Sequence, residues 1–125
     1  MRLRLVALFA VLVAAAAGVS VGIAATTTAS SIPKLRGTIG PGYTISLQNA
    51  QGKAVKTLKH GKYTFTVRDK SNIHNFTLNG HGIQNKVISG TGFVGTKTVT
   101  VTLKTGSYRY YCTVHPFVSK TFKVS

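Results

Sequence analysis

From Lys97 to Lys104 the chain alternates without a break: Val99, Val101 and Leu103 are interleaved with Thr98, Thr100 and Thr102. In an extended strand successive side chains point to opposite faces, so this segment has one apolar face and one hydroxyl face. Other runs share the period. Tyr43, Ile45 and Leu47 fall on one side, as do Tyr63, Phe65 and Val67. His74, Phe76 and Leu78 form a third set, Tyr108, Tyr110 and Cys112 a fourth, and Phe122 with Val124 a fifth. Turn signals divide them: Gly40-Pro41-Gly42, Gln51-Gly52-Lys53, His60-Gly61-Lys62, Asn79-Gly80 and Lys104-Thr105-Gly106. Helical periodicity is weak throughout. The expectation is an all-β domain, an antiparallel Greek-key β-sandwich or barrel of about seven or eight strands. Residues 80–96 are Gly-rich and irregular and read as the connection between sheets.

Three regions are expected. Residues 1–25 start with Arg2 and Arg4, continue as an Ala-rich apolar stretch and end in small residues, the pattern of a secretory signal peptide. An uncleaved anchor is the alternative, since about 20 apolar residues can span a bilayer. Residues 26–33 read as a flexible lead-in, and residues 34–125 as the folded domain. A body of about 100 residues supports one core rather than two. Either reading of the leader puts that body in the periplasm or outside the cell.

Charge narrows the chemistry. Sixteen Lys and Arg stand against a single acid, Asp69, for a net charge of +15. Paired-carboxylate catalysis, two-metal sites and oxygen-ligated calcium sites all need several Asp or Glu, so they are all but excluded. One Cys and four His remain. Cys112 cannot form an internal disulfide, and an unpaired thiol in an oxidising compartment invites oxidation. It reads as a buried inert thiol, an interchain crosslink, a nucleophile or a metal ligand.

The surrounding residues weigh on that choice. His74 shares the inward parity of Phe76 and Leu78, and Cys112 that of Tyr108 and Tyr110. His115 lies three residues beyond Cys112, before Pro116 and Phe117. A strand ending at Cys112 and turning sharply through Pro116 can bring both side chains to one point, and His74 can complete it. One thiolate and two imidazoles match the trigonal donor set of blue copper. Zinc accepts the same donors, with a fourth position open to water, but the lack of a nearby carboxylate to act as general base counts against a zinc hydrolase.

The segments from Asp69 through His74-Asn75-Phe76, and from Tyr110 through Cys112-Thr113-Val114-His115-Pro116-Phe117, resemble the cupredoxins, the plastocyanin and azurin family. The short C-x-x-H-P-F loop is most similar to that of amicyanin. The resemblance covers residues 34–125. It implies copper held by His74, Cys112 and His115, and single-electron transfer rather than an enzyme's turnover. It implies that Asn75 ties the two ligand segments together by hydrogen bonds, and that Pro116 and Phe117 form part of an apolar patch where electrons enter and leave. Phe117 as a core plug is the competing reading. The chain departs from the family at the weak axial ligand. An amicyanin-like loop would put Met where Val118 stands, and a plastocyanin-like loop where Lys120 stands; the only Met is Met1. The expectation is a three-coordinate site, or one with a distant backbone carbonyl, and a raised reduction potential.

The remaining signals are weaker. His81 and His60 sit in Gly-containing turns and read as exposed. Asn75-Phe76-Thr77 matches a glycosylation sequon, discounted if Asn75 is buried beside the site. The dispersed Lys residues are suited to steering an acidic redox partner or to holding a monomer near an anionic membrane surface. Nucleic-acid binding is set aside, because export and the lack of any such motif count against it. Two other functions stay open: a copper-sequestering module without electron-transfer duty, and a metal-free basic sandwich that binds polyanions.

Overall fold

The structure, a computed structural model, describes residues 15–125. The first part of the expected leader, residues 1–14, lies outside the described residues. Residues 15–33 carry no regular secondary structure and are exposed. Among the described residues no helix is long and apolar enough to cross a membrane.

Nine strands follow: β1 (Lys34–Ile39), β2 (Ile45–Gln48), β3 (Thr57–Leu58), β4 (Gly61–Asp69), β5 (Phe76–Gly80), β6 (Ile83–Ser89), β7 (Gly95–Leu103), β8 (Gly106–Tyr111) and β9 (Ser119–Val124). They form two sheets. One has the order β2-β1-β4-β7 and the other β3-β9-β8-β5-β6. The expected alternation organises both. In β4, Tyr63, Phe65 and Val67 are buried, and opposite it in β7 so are Val101 and Leu103. Phe76, Leu78, Tyr108, Tyr110 and Phe122 supply the second wall. There Phe76 stacks on Tyr110 (5.6 Å between centroids, 8° between planes), and Tyr108 on Phe122 (5.2 Å, 13°). Burying these large side chains between two sheets is the main force holding the sandwich closed.

Three features differ from the reading of the sequence. The sheets are mixed: β1 runs parallel to β4, and β3 parallel to β9. Residues 80–96 are not simply a connection. They contain β6, an edge strand antiparallel to β5, whose ladder shifts register twice. Those irregularities break the period-two signal, which hides the strand from pattern reading. Tyr43 does not continue the buried face of Ile45 and Leu47; it lies in a bend before β2 and is 61% exposed.

One end of the sandwich gathers the loops that matter. The Gly40–Thr44 bend follows β1 and is closed by the Gly40 N–H donating to the Thr44 carbonyl. The 70–75 segment links β4 to β5 and is tied to β1 by the Lys70 N–H donating to the Ile39 carbonyl (2.9 Å). The 90–94 turn is held to that segment by the Gly92 N–H donating to the Asn72 carbonyl (2.9 Å). The 112–118 loop joins β8 to β9.

Candidate metal centre

Cys112 follows the last residue of β8 and keeps the inward parity of Tyr108 and Tyr110, so its sulfur is fully buried. The next turn is short and closed. The Cys112 N–H donates to the Val118 carbonyl (3.0 Å), and the Val118 N–H to the His115 carbonyl (2.8 Å). That folding brings His115 back over Cys112. His74, 1% exposed, approaches from the segment before β5. The Cys112 Sγ lies 3.7 Å from His74 Nδ1 and 3.8 Å from His115 Nδ1, and the two Nδ1 atoms are 3.1 Å apart. His74, Cys112 and His115 thus form one cluster.

The spacing suits a shared ion. Metal–nitrogen bonds of about 2.0 Å and metal–sulfur bonds of about 2.3 Å put trigonal donors about 3.5 Å apart for N–N and about 3.7 Å for N–S. The observed triangle has nearly those sides. Its chemistry is that of a soft thiolate and two borderline imidazoles, with no oxygen donor, which favours copper or zinc over magnesium or calcium.

Asn75 ties the two ligand segments together. Its Nδ2–H donates to Thr113 Oγ1 (2.6 Å) and to Thr91 Oγ1 (3.2 Å). Its Oδ1 accepts from the Thr113 N–H (2.9 Å) and the Thr77 hydroxyl (3.3 Å). Its own N–H donates to the Cys112 Sγ (3.4 Å), a further tie between the two segments. Asn75 and Thr77 are buried, which keeps the sequon from a glycosyl carrier. Among the described residues, no buried side-chain nitrogen or oxygen lacks a hydrogen-bond partner.

Aromatic rings cover the His side of the cluster. The Tyr43 ring meets His74 edge-on at 5.4 Å and His115 at 5.2 Å, and lies 5.5 Å from Phe117. Phe117 is 72% exposed, which excludes the core-plug reading, and Pro116 beside it is also exposed. Ile73 and Val114, each next to a His of the cluster, are about half exposed. Alternation counted from Ile45 puts Tyr43 in the core and so misses its place over the imidazoles. The available signal was Gly40-Pro41-Gly42, which ends the strand period before Tyr43. His81 and His60 stand apart from the cluster: the His81 Nδ1–H donates to the Thr105 carbonyl (2.7 Å), and the His60 Nδ1 faces the Ser125 carbonyl.

No protein-family model matches the chain. No curated protein matches it either. Solved structures do. Reduced rusticyanin aligns with a TM-score of 0.52 and 17% identity, over 74% of this chain and 78% of that one. The copper protein rusticyanin in a 2.1 Å structure aligns with a TM-score of 0.51 and 16% identity, over 74% and 76%. A purple cupredoxin from Nitrosopumilus maritimus gives 0.44 and 19%, over 74% and 98%. At such identities the likeness is one of fold: the sandwich has the cupredoxin fold.

Proposed function

We propose that this chain is an exported type 1 copper protein that carries single electrons and turns over no substrate. The observation that carries the reading is the buried triangle of His74 Nδ1, His115 Nδ1 and Cys112 Sγ, with sides that a common ion would span. When bound, copper supplies a reversible one-electron couple. The protein supplies the rest. Cys112 gives a soft anionic donor and the two imidazoles neutral ones, a set that suits both oxidation states. Asn75 and the closed 112–118 turn hold the donors on a rigid β framework, so little needs to move when charge changes. Burial of His74 and Cys112 keeps water away.

His115 is the half-exposed member of the cluster, beneath Tyr43 and Phe117, and electrons pass through this apolar face to a partner. That partner is an acidic redox protein, drawn by the cationic surface; the same charge suits a position near an anionic membrane and opposes self-association. The basic, apolar leader supports export to the periplasm or beyond.

Adding Cu(II) to the purified domain tests the reading. The expected result is an intense visible thiolate-to-copper charge-transfer band, which Cys112→Ser removes, together with reversible one-electron reduction. A loaded protein that is colourless and redox-silent overturns it.

A further inference from the structure

The outer face of the five-stranded sheet carries a chain of contacts that ends on the ligand loop. In β8 the inward Tyr108 and Tyr110 alternate with Arg109 and Tyr111, which point outward. Arg109 pairs with Asn79 of β5 on one side and Thr121 of β9 on the other, so its backbone is fixed in the centre of the sheet. Its Nη2–H donates to the Pro116 carbonyl at 2.6 Å. Its guanidinium carbon sits 4.2 Å from the centre of the Tyr111 ring. The Tyr111 hydroxyl donates to Asn85 Oδ1 (2.7 Å), and the Asn85 N–H to Asn79 Oδ1 (3.1 Å). Asn85 has a φ of +43°, the one positive value at a non-glycine residue among the described residues. A backbone state that costs energy is kept where the surroundings hold it, and here it presents the acceptor for Tyr111.

The composition makes the arrangement unusual. An Arg on a sheet face would ordinarily pair with a carboxylate, but the only acid, Asp69, is buried and occupied by the Ser71 N–H (3.1 Å) and the Ser89 hydroxyl (2.8 Å). Arg109 is anchored instead by a ring face and a carbonyl, and its charge stays uncompensated beside the loop. Pro116 is the residue after His115. Asn75 grips the loop at Thr113, before His115, and Arg109 grips it after His115.

We infer that Arg109 is a positioning residue for the metal centre. It clamps the Pro116 carbonyl so that His115 is held from both sides, and its positive charge favours the reduced, less positive ion. The inference rests on the copper reading for its redox part only; the clamp belongs to the metal-free fold.

The experiment uses Arg109→Gln, Arg109→Lys and, as a charge control on the same outer face, Lys123→Gln. Amide hydrogen exchange of Val118, whose N–H closes the loop on His115, is measured in the metal-free protein. Loss of Arg109 to Gln is expected to speed that exchange about tenfold or more, the effect of removing a hydrogen bond to a charged group. Lys is expected to rescue it poorly, because it lacks the planar stack and the directed donor. Lys123→Gln is expected to leave it unchanged. In the copper-loaded protein Arg109→Gln is expected to lower the reduction potential, whereas Arg109→Lys retains most of it. Unchanged Val118 exchange in a folded Arg109→Gln overturns the clamp. Equal potentials in wild type and Arg109→Gln overturn the charge effect. If Arg109→Gln does not fold, Tyr111→Leu, which strips the ring from under the guanidinium, must speed Val118 exchange, and its failure to do so overturns the clamp. A wild-type protein that takes up no copper defeats the copper reading while the exchange measurement still decides the clamp.

Discussion

Among single residues, Val118 stands where the resemblance would put the axial Met. It is buried at the base of the ligand loop, with its N–H on the His115 carbonyl and its carbonyl on the Cys112 N–H. Its side chain has no donor atom. Placing a thioether there adds a weak ligand that supports the oxidised ion. Val118→Met is therefore expected to lower the reduction potential; a tenfold shift in the oxidised-to-reduced ratio corresponds to about 59 mV for one electron. Voltammetry of the loaded pair checks this, and identical potentials would mean that position 118 does not face the ion. At this scale the three candidate ligands were legible in the sequence because parity, spacing and the scarcity of other chemical side chains all pointed at them. Tyr43 and Arg109 were not. Each depends on where a loop folds back, Tyr43 over His74 and His115, and Pro116 onto Arg109, and no local pattern encodes that return.

Among the elements, β5 and β8 adjoin the segments that hold the cluster, and their close contact depends on one small residue. Gly80 lies opposite Tyr108 in the ladder, and a Cβ there would run into the Tyr108 ring at Cδ1, Cγ and Cε1. The ring cannot give way easily. It is stacked on Phe122, and its hydroxyl accepts from the Lys104 N–H while lying 2.8 Å from the Lys104 carbonyl. Gly80→Ala is expected to cost about 1–3 kcal/mol by overpacking, read as a thermal midpoint several degrees lower; an unchanged midpoint would show that β5 can slide relative to β8. The cleanly alternating strands β4, β7 and β8 were legible as elements, since each buries one face. By contrast β6 was not, because its bulged pairing and the αL residue Asn85 scramble the alternation. The parallel β1–β4 pair also escaped the sequence reading: strand order is decided by packing across the whole core, and period two is silent about it.

Taken as a whole, the molecule is a cation with no exposed acidic side chain. The sole carboxylate side chain is buried, so the Lys and Arg field meets no exposed acidic side chain of the same chain. Association with an acidic redox partner is then expected to slow steeply as salt rises, because screening shortens the reach of the field to about 8 Å at physiological ionic strength. Stopped-flow rates with an acidic electron acceptor across a salt series check this; a flat dependence would remove electrostatics from the account. The two-sheet architecture itself was legible, since many short alternating strands with frequent turns leave few other ways to bury one face of each. Inside that sandwich, one sulfur and two imidazoles are expected to hold a single copper ion. X-ray absorption at the copper edge of the loaded protein reads those bonds. One sulfur and two imidazole nitrogens bonded to copper are the result expected, and a copper ion surrounded by nitrogen or oxygen alone would contradict it.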